Sequence, residues 1–123
     1  MNAFNMAKTA YSNSTASTRT PRGTEYDAFA RITHRLKSAE QNGNFTALAA
    51  ALYDNNRLWT LLAADVSDKD NTLPETLRGR IFYLYEFTAQ HSRKVLRKEE
   101  TVDVLIDINT TIMRGLRSKE GAA

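Results

Sequence analysis

The chain has 123 residues, of which 41% are hydrophobic and 25% charged, and its formal net charge is +3. This length and composition predict one soluble globular domain, and the absence of cysteine excludes disulfides and thiolate metal sites. No apolar run approaches the ~20 residues of a membrane span, and the N-terminus lacks the pattern of a secretory signal.

Residues 1–19 are rich in Asn, Ser, Thr and Ala. They are predicted to form a mobile tail, because they bury too little apolar surface to offset the loss of chain entropy. Phe4, Ala7 and Tyr11 lie three and four residues apart, so a short docking helix is the alternative. The helical domain is predicted to span residues 20–118, with a frayed C-terminus at residues 119–123.

The first two helices have clear end signals. Pro21 suits a first helical turn, and Gly43 can take the left-handed conformation that ends a helix near Gln41. Asn44 is the predicted N-cap of the second helix, which runs to about Asp65. The helical spacing predicts two buried stripes, namely Tyr26, Phe29, Ile32, Thr33 and Leu36, followed by Phe45, Leu48, Leu52, Trp59, Leu62 and Ala63.

The stretch Leu73–Lys98 is predicted to be the central helix. Its middle, Ile81–Phe87, reads IFYLYEF and is apolar or aromatic at every position but Glu86. A helix that is apolar on several faces is expected to be covered on several faces. Thr72 and Glu75 have the spacing of a capping box at its start. The other helices are therefore predicted to pack around this one.

The last helix is predicted over Val102–Leu116, with Thr101 as its cap and Gly115 near its end. Its predicted buried side consists of Val102, Leu105, Ile106, Ile112, Met113 and Leu116. Helices joined by short loops should lie antiparallel to their sequence neighbours. The predicted fold class is therefore all-α, a small antiparallel bundle of four helices.

No combination of residues typical of catalysis or metal binding is found. His34 and His91 lie on different predicted helices without metal-ligand spacing, and glycine-rich phosphate loops are absent. The carboxylates of Asp65, Asp68 and Asp70 belong to a polar loop region and are predicted to be solvated. The chain is therefore predicted not to be an enzyme, with no cofactor and no metal.

Polar side chains interrupt the apolar stripes near the middle of three helices. They are Asn55, Asn56, Thr88, His91 and Asn109. In an antiparallel bundle they could share one layer, and buried amides must be hydrogen-bonded or they cost roughly 1–3 kcal/mol each. The layer is either a structural network that sets helix register or a polar notch that recognises a partner helix.

The central helix carries more rings than a single core stripe accommodates. Tyr83, Tyr85 and Phe87 cannot all point inward together with Leu84 and Thr88. Some are expected to face solvent or a groove, and a contiguous exposed apolar patch marks an interaction site; partial burial under the tail or the first helix is the alternative. The predicted partner-binding residues are Tyr83, Tyr85, Phe87, Asp107, Asn109 and Met113.

Four segments of the sequence resemble the flagellar biosynthesis regulator FlaF family. They are TPRGTEYDAFARITHRL at 20–36, ALYDNNRLWTLLAADV at 51–66, LPETLRGRIFYLYEFTAQHSRKVL at 73–96 and VDVLIDINTTIMRGL at 102–116. The most specific parts are Arg-Leu-Trp at 57–59 and Asp-Ile-Asn at 107–109. Gly23 departs from the helix-favouring residue expected in the first turn.

The resemblance implies a cytoplasmic helper in flagellum biogenesis: a chaperone-like partner of flagellin in its synthesis and export, acting beside a second regulator, FlbT. A small helical protein with an apolar groove can shelter an amphipathic helix, and the terminal segments of flagellin resemble such helices.

The alternative is a regulator that binds flagellin mRNA. It is the weaker expectation, because aromatics and cations occupy different halves of the third helix. A membrane partner is not expected, since Lys8 is the only cation in residues 1–18.

Overall fold

The computed structural model describes the backbone of residues 21–122 and the side chains of residues 26–115. This part of the chain forms four α-helices and no strand: α1 Pro21–Gln41, α2 Phe45–Ser67, α3 Glu75–Leu96 and α4 Asp103–Ala122. The predicted all-α bundle of four helices is confirmed. The predictions made for residues 1–19, including the stripe of Phe4, Ala7 and Tyr11, lie outside the described residues.

The α1–α2 turn forms from the predicted signals. Gly43 takes a φ of +62°, and its amide donates to the Glu40 carbonyl at 3.2 Å. The Asn44 amide donates to the Ala39 carbonyl at 3.0 Å, which completes a Schellman motif. The Asn44 side chain then accepts from the Ala47 amide at 3.0 Å and caps α2. The backbone amide of Asn44 therefore belongs to the motif that ends α1, and its side chain caps the start of α2.

The α3–α4 turn has the same form but places Lys98 in the left-handed position. Lys98 has a φ of +63°, and the Glu99 amide donates to the Lys94 carbonyl at 2.9 Å. A residue with a Cβ in this conformation costs roughly 1–2 kcal/mol. The Lys98 ammonium group lies 4.9 Å from the centroid of the Phe45 ring, and this cation–π contact offsets part of that cost.

We expect Lys98→Gly to stabilise the fold by roughly 0.5–1 kcal/mol, because glycine takes the left-handed conformation without steric cost while the contact with Phe45 is lost. Urea unfolding followed by circular dichroism measures the change in the free energy of unfolding. The control is Lys94→Gly, at an exposed position inside α3, which should destabilise by about 1 kcal/mol. A destabilised Lys98→Gly protein would mean that the contact with Phe45 outweighs the backbone strain.

Helix α3 is not the centre of the fold, and that prediction is wrong. It packs mainly against α2 and has few contacts with α4, whereas α1 packs against both α2 and α4. The buried residues of α3 form a single stripe of Ile81, Thr88, Ser92 and Val95. Covering its other faces would take several arginine and glutamate side chains out of water without partners, which is costly. Helix α3 therefore lies at the edge of the bundle.

The start of α3 also differs from the prediction. Pro74 stands at the N-cap, and no side chain caps this described turn, so the capping box of Thr72 and Glu75 is wrong. Upstream, the Asn71 side chain accepts from the Leu73 amide at 2.9 Å, and Leu73 is buried in the core. This anchor and the fixed φ of proline set the entry of the chain, so the helix starts after Pro74.

Helix α4 is longer than predicted, because it continues to Ala122 and does not end at Leu116. Gly115 lies inside it, at a position where an added Cβ would meet nothing within 4 Å. One exposed glycine in a helix costs about 1 kcal/mol relative to alanine, which is too little to end a helix.

The core forms around Trp59 of α2, which is fully buried and meets the Phe29 ring edge to face with centroids 5.5 Å apart. The predicted buried stripes are largely confirmed among the described side chains. Phe45 opens α2 at the end of the bundle and stays 42% exposed. Three further members of the stripes are half-buried, namely Tyr26, Ile106 and Met113, and the side chain of Leu116 lies outside the described residues. None of the helices in residues 21–122 is long and apolar enough to cross a membrane.

Candidate functional site

The buried polar side chains of three helices meet at Asn109. Its Nδ2 donates to Asn55 Oδ1 at 2.8 Å and to Thr33 Oγ1 at 3.1 Å. Its Oδ1 accepts from Trp59 Nε1 at 2.9 Å. All four residues are at most 3% exposed. In this fold Asn109 ties α4 to α1 and α2, and it is not available to a partner, in contrast to its predicted place on a binding surface.

The other polar residues predicted for the same layer form separate groups. Ser92 Oγ lies 3.0 Å from Asn56 Oδ1 and 2.7 Å from the Thr88 carbonyl oxygen, and its single proton is shared between these two acceptors. The contact with Asn56 joins α3 to α2, whereas the contact with the Thr88 carbonyl lies within α3. The buried Thr88 hydroxyl has no hydrogen-bond partner among the described residues, so the five polar residues do not form one hydrogen-bonded layer.

His91 lies apart from both groups. Its ring stacks on Phe87 with centroids 5.5 Å apart, and its Nε2 lies 2.9 Å from the Thr101 carbonyl oxygen. A carbonyl can only accept a hydrogen bond, so Nε2 carries the proton. His91 therefore connects α3 to the turn before α4, at the end of the bundle where these two helices come together.

The aromatic side chains of α3 fall on different sides of the helix. Phe82 and Tyr85 contact each other edge to face with centroids 5.6 Å apart, and Phe87 stacks on His91. Tyr83 is 64% exposed. Successive helical residues are rotated by about 100°, so Tyr85 lies on the side of the helix opposite to Tyr83 and Phe87.

An open depression of about 250 Å³ lies between α2 and α3 on the side of Tyr85. We name it the α2/α3 groove, and its lining consists of Asn56, Thr60, Tyr85, Ala89, Ser92 and Leu96, with Trp59 beneath and Arg93 at the edge. The space exists because alanine, serine and threonine stand where larger side chains would fill the gap between the helices.

Exposed apolar and cationic side chains surround the α2/α3 groove. Phe82 and Leu96 are each 41% exposed, and Tyr53 is 62% exposed. The Arg57 guanidinium carbon lies 5.7 Å from the centroid of the Tyr53 ring, and Arg93 lies on the opposite wall. Apolar side chains clustered at a surface depression mark an interaction site, so this groove is the candidate functional site.

Several of these residues are missing from the sequence prediction, and the sequence does contain a signal for them. Phe82, Tyr85, Ala89, Ser92 and Leu96 are spaced by three or four residues. This is the spacing of one helical face. The face is difficult to recognise in the sequence because it adjoins the buried stripe, and the two merge into one apolar run. Tyr53 and Arg57 have no comparable signal.

The remaining predicted site residues lie elsewhere. Asp107 is exposed and Met113 is half-buried on α4, and neither lines the α2/α3 groove. Among the described residues no group of three or more His, Cys, Asp or Glu side chains is placed to hold a metal ion. At the α3–α4 turn, the hydrogen bond from Arg97 lowers the pKa of the exposed Glu99 carboxyl, and this pair belongs to the turn.

The fold and the groove place this chain in the class of small all-helical bundles with an exposed apolar groove at one edge. Within that class, the model of the family described as flagellar protein FlaF matches residues 7–116, and the chain belongs to this family. The resemblance found in the sequence is therefore confirmed. No curated protein and no solved structure matches the chain.

Proposed function

We propose that this chain is a non-catalytic flagellar protein that binds an amphipathic helix of flagellin in the α2/α3 groove. Its membership of the FlaF family supports the flagellar role. The observation that carries the binding site is a set of exposed apolar side chains at the depression. Leu96 lines it, Phe82 packs against the lining residue Tyr85, and Tyr53 lies one turn before the lining residue Asn56. Docking there would shelter the flagellin helix before export, as a chaperone does.

The physical basis is the apolar surface that remains uncovered on one side of α2 and α3. Full burial of a large apolar side chain contributes roughly 1.5–3 kcal/mol. Phe82 and Leu96 are already more than half buried, so covering the rest of each contributes roughly 1 kcal/mol. Aromatic residues are the usual binding hot spots at such surfaces, and a helix packed along the groove would cover both residues at once.

Phe82→Ser is the variant that tests this site. It is expected to weaken the binding of purified flagellin roughly tenfold, equivalent to ~1.4 kcal/mol, because serine removes the ring at the rim. Isothermal titration calorimetry at modest salt measures the change.

The matched control is Phe45→Ser, the same substitution at a ring with nearly the same exposed fraction, placed at the first residue of α2. It should leave flagellin binding unchanged. Equal losses in both variants would move the site away from the α2/α3 groove, and no binding by the wild-type protein would overturn the proposed function.

Direct binding of flagellin mRNA is the second candidate. The observation that favours it is the interleaving of rings and arginines around the groove, since Arg57 packs on Tyr53 and Arg93 lies across from it. Aromatic side chains on which bases can stack, placed between cationic side chains, are typical of sites that bind single-stranded nucleic acid. Phosphate contacts make such binding fall steeply with salt. A poly-uridine oligonucleotide that binds at low salt and is released at moderate salt would support this candidate, whereas no binding of the oligonucleotide at low salt would support the protein partner.

A further inference from the structure

We infer that the α2/α3 groove selects a helix that carries carboxylates along both of its edges and an apolar line between them. The inference rests on the proposed function and specifies the chemistry of its partner. It comes from the sign and the position of the charges around the groove, which the apolar rim by itself does not determine.

Each of the two helices that form the groove carries an arginine at or next to the lining. Arg93 lines the groove on α3. On α2, Arg57 lies one position after the lining residue Asn56 and one turn before the lining residue Thr60. Within residues 26–115 neither guanidinium has an ion-pair partner. Arginine binds carboxylates through paired hydrogen bonds. A helix lying between the two walls would therefore meet a cation on each side.

The floor of the groove does not compete for these carboxylates. The Ser92 hydroxyl shares its single proton between Asn56 Oδ1 and the Thr88 carbonyl, and the Thr60 hydroxyl donates to the Asn56 carbonyl at 2.8 Å. The floor hydroxyls are thus already used within the chain. Ala89 and Leu96 supply the apolar part of the lining, which suits the apolar line of a docked helix.

The N-terminal segment of the chain has the wrong charge to be the occupant. Residues 1–20 contain Lys8 and Arg19 and no aspartate or glutamate. Placed between Arg57 and Arg93, this segment would add like charges. A nucleic acid has the right sign, but of the two rings that line the groove Trp59 is fully buried and Tyr85 packs against Phe82. The exposed part of the lining therefore offers few ring faces on which bases could stack. The apolar lining and the cationic walls together therefore favour a protein helix.

The test compares two synthetic amphipathic helices with the same apolar face, one with Glu along both edges and the other with Lys. The full chain is expected to bind the Glu helix at least about tenfold more tightly at low salt. The double variant Arg57→Glu/Arg93→Glu should reverse this preference. The control Arg31→Glu/Arg114→Glu makes the same charge change at exposed positions of α1 and α4, and it should keep the wild-type preference.

Flagellin and a poly-uridine oligonucleotide are titrated in parallel, and far-UV circular dichroism verifies that each variant is folded. Equal affinities for the Glu and Lys helices would overturn the inference, while flagellin binding that is sensitive to Phe82→Ser would leave the proposed function standing. A Glu-helix preference without flagellin binding would support the inference and overturn the proposed function. Displacement of the Glu helix by the oligonucleotide at lower concentration than by flagellin would overturn both.

Discussion

Trp59→Ala is expected to lower the free energy of unfolding by ~3–5 kcal/mol, the range for truncation of a fully buried tryptophan. The substitution removes the edge-to-face contact with Phe29 and leaves a cavity where α1 and α2 meet. It also removes the donor to Asn109 Oδ1. Since many domains are stable by only about 5–15 kcal/mol, this loss is a large part of the total free energy of unfolding. Urea unfolding followed by circular dichroism measures this change.

Two further variants separate the causes of this loss. Trp59→Phe keeps a ring in the core but removes the indole N–H, so we expect a loss of about 1–3 kcal/mol from the buried, unpaired Asn109 oxygen and the smaller ring. Tyr53→Ala truncates an exposed ring of the same helix, and its effect on stability should stay within about 0.5 kcal/mol. A loss below ~1 kcal/mol for Trp59→Ala would mean that the core is not organised around this residue.

Asn109→Leu is expected to cost about 3 kcal/mol of stability, because each buried polar group left without a partner costs roughly 1–3 kcal/mol and the new apolar side chain recovers only part of the loss. The groups left behind are Trp59 Nε1, Asn55 Oδ1 and Thr33 Oγ1. Flagellin binding by the folded protein should be unchanged, since Asn109 is fully buried and does not line the α2/α3 groove.

A double-mutant cycle with Asn55→Leu tests whether these residues act as one network. Replacing both members of a buried hydrogen bond by apolar groups costs less than the sum of the single replacements. We expect a coupling free energy of at least about 1 kcal/mol between positions 55 and 109. If Asn109→Leu instead kept its stability and lost flagellin binding, the polar residues would be a recognition notch and not a structural network.

The two most specific motifs of the family resemblance take part in this structural network. Trp59 ends the Arg-Leu-Trp motif and Asn109 ends the Asp-Ile-Asn motif, and their side chains are hydrogen-bonded to each other across α2 and α4. These two residues therefore contribute to the fold of the bundle. Arg57, at the start of the first motif, instead packs on the ring of Tyr53, next to the residues of α2 that line the groove.

The helices and most of their ends could be predicted from the sequence because their causes are local. Gly43 and Asn44 act within one turn of their own positions, and the stripes that bury Phe29, Leu52 and Leu105 follow from the helical period. The predictions of helix ends were wrong where packing against distant residues decides the end. At Pro74, for example, the burial of Leu73 sets the start of α3.

The sequence by itself determined that this chain is a cysteine-free bundle of helices whose third helix has more aromatic side chains than a single core stripe can hold. Only the tertiary structure decided where these side chains go: α3 packs on one side of α2, Phe82 and Tyr85 turn to the groove, and Phe87 turns to His91. The physical reason is that the helical period specifies which residues share a face, whereas the choice of the buried face depends on the neighbouring helices and on which charges must stay in water.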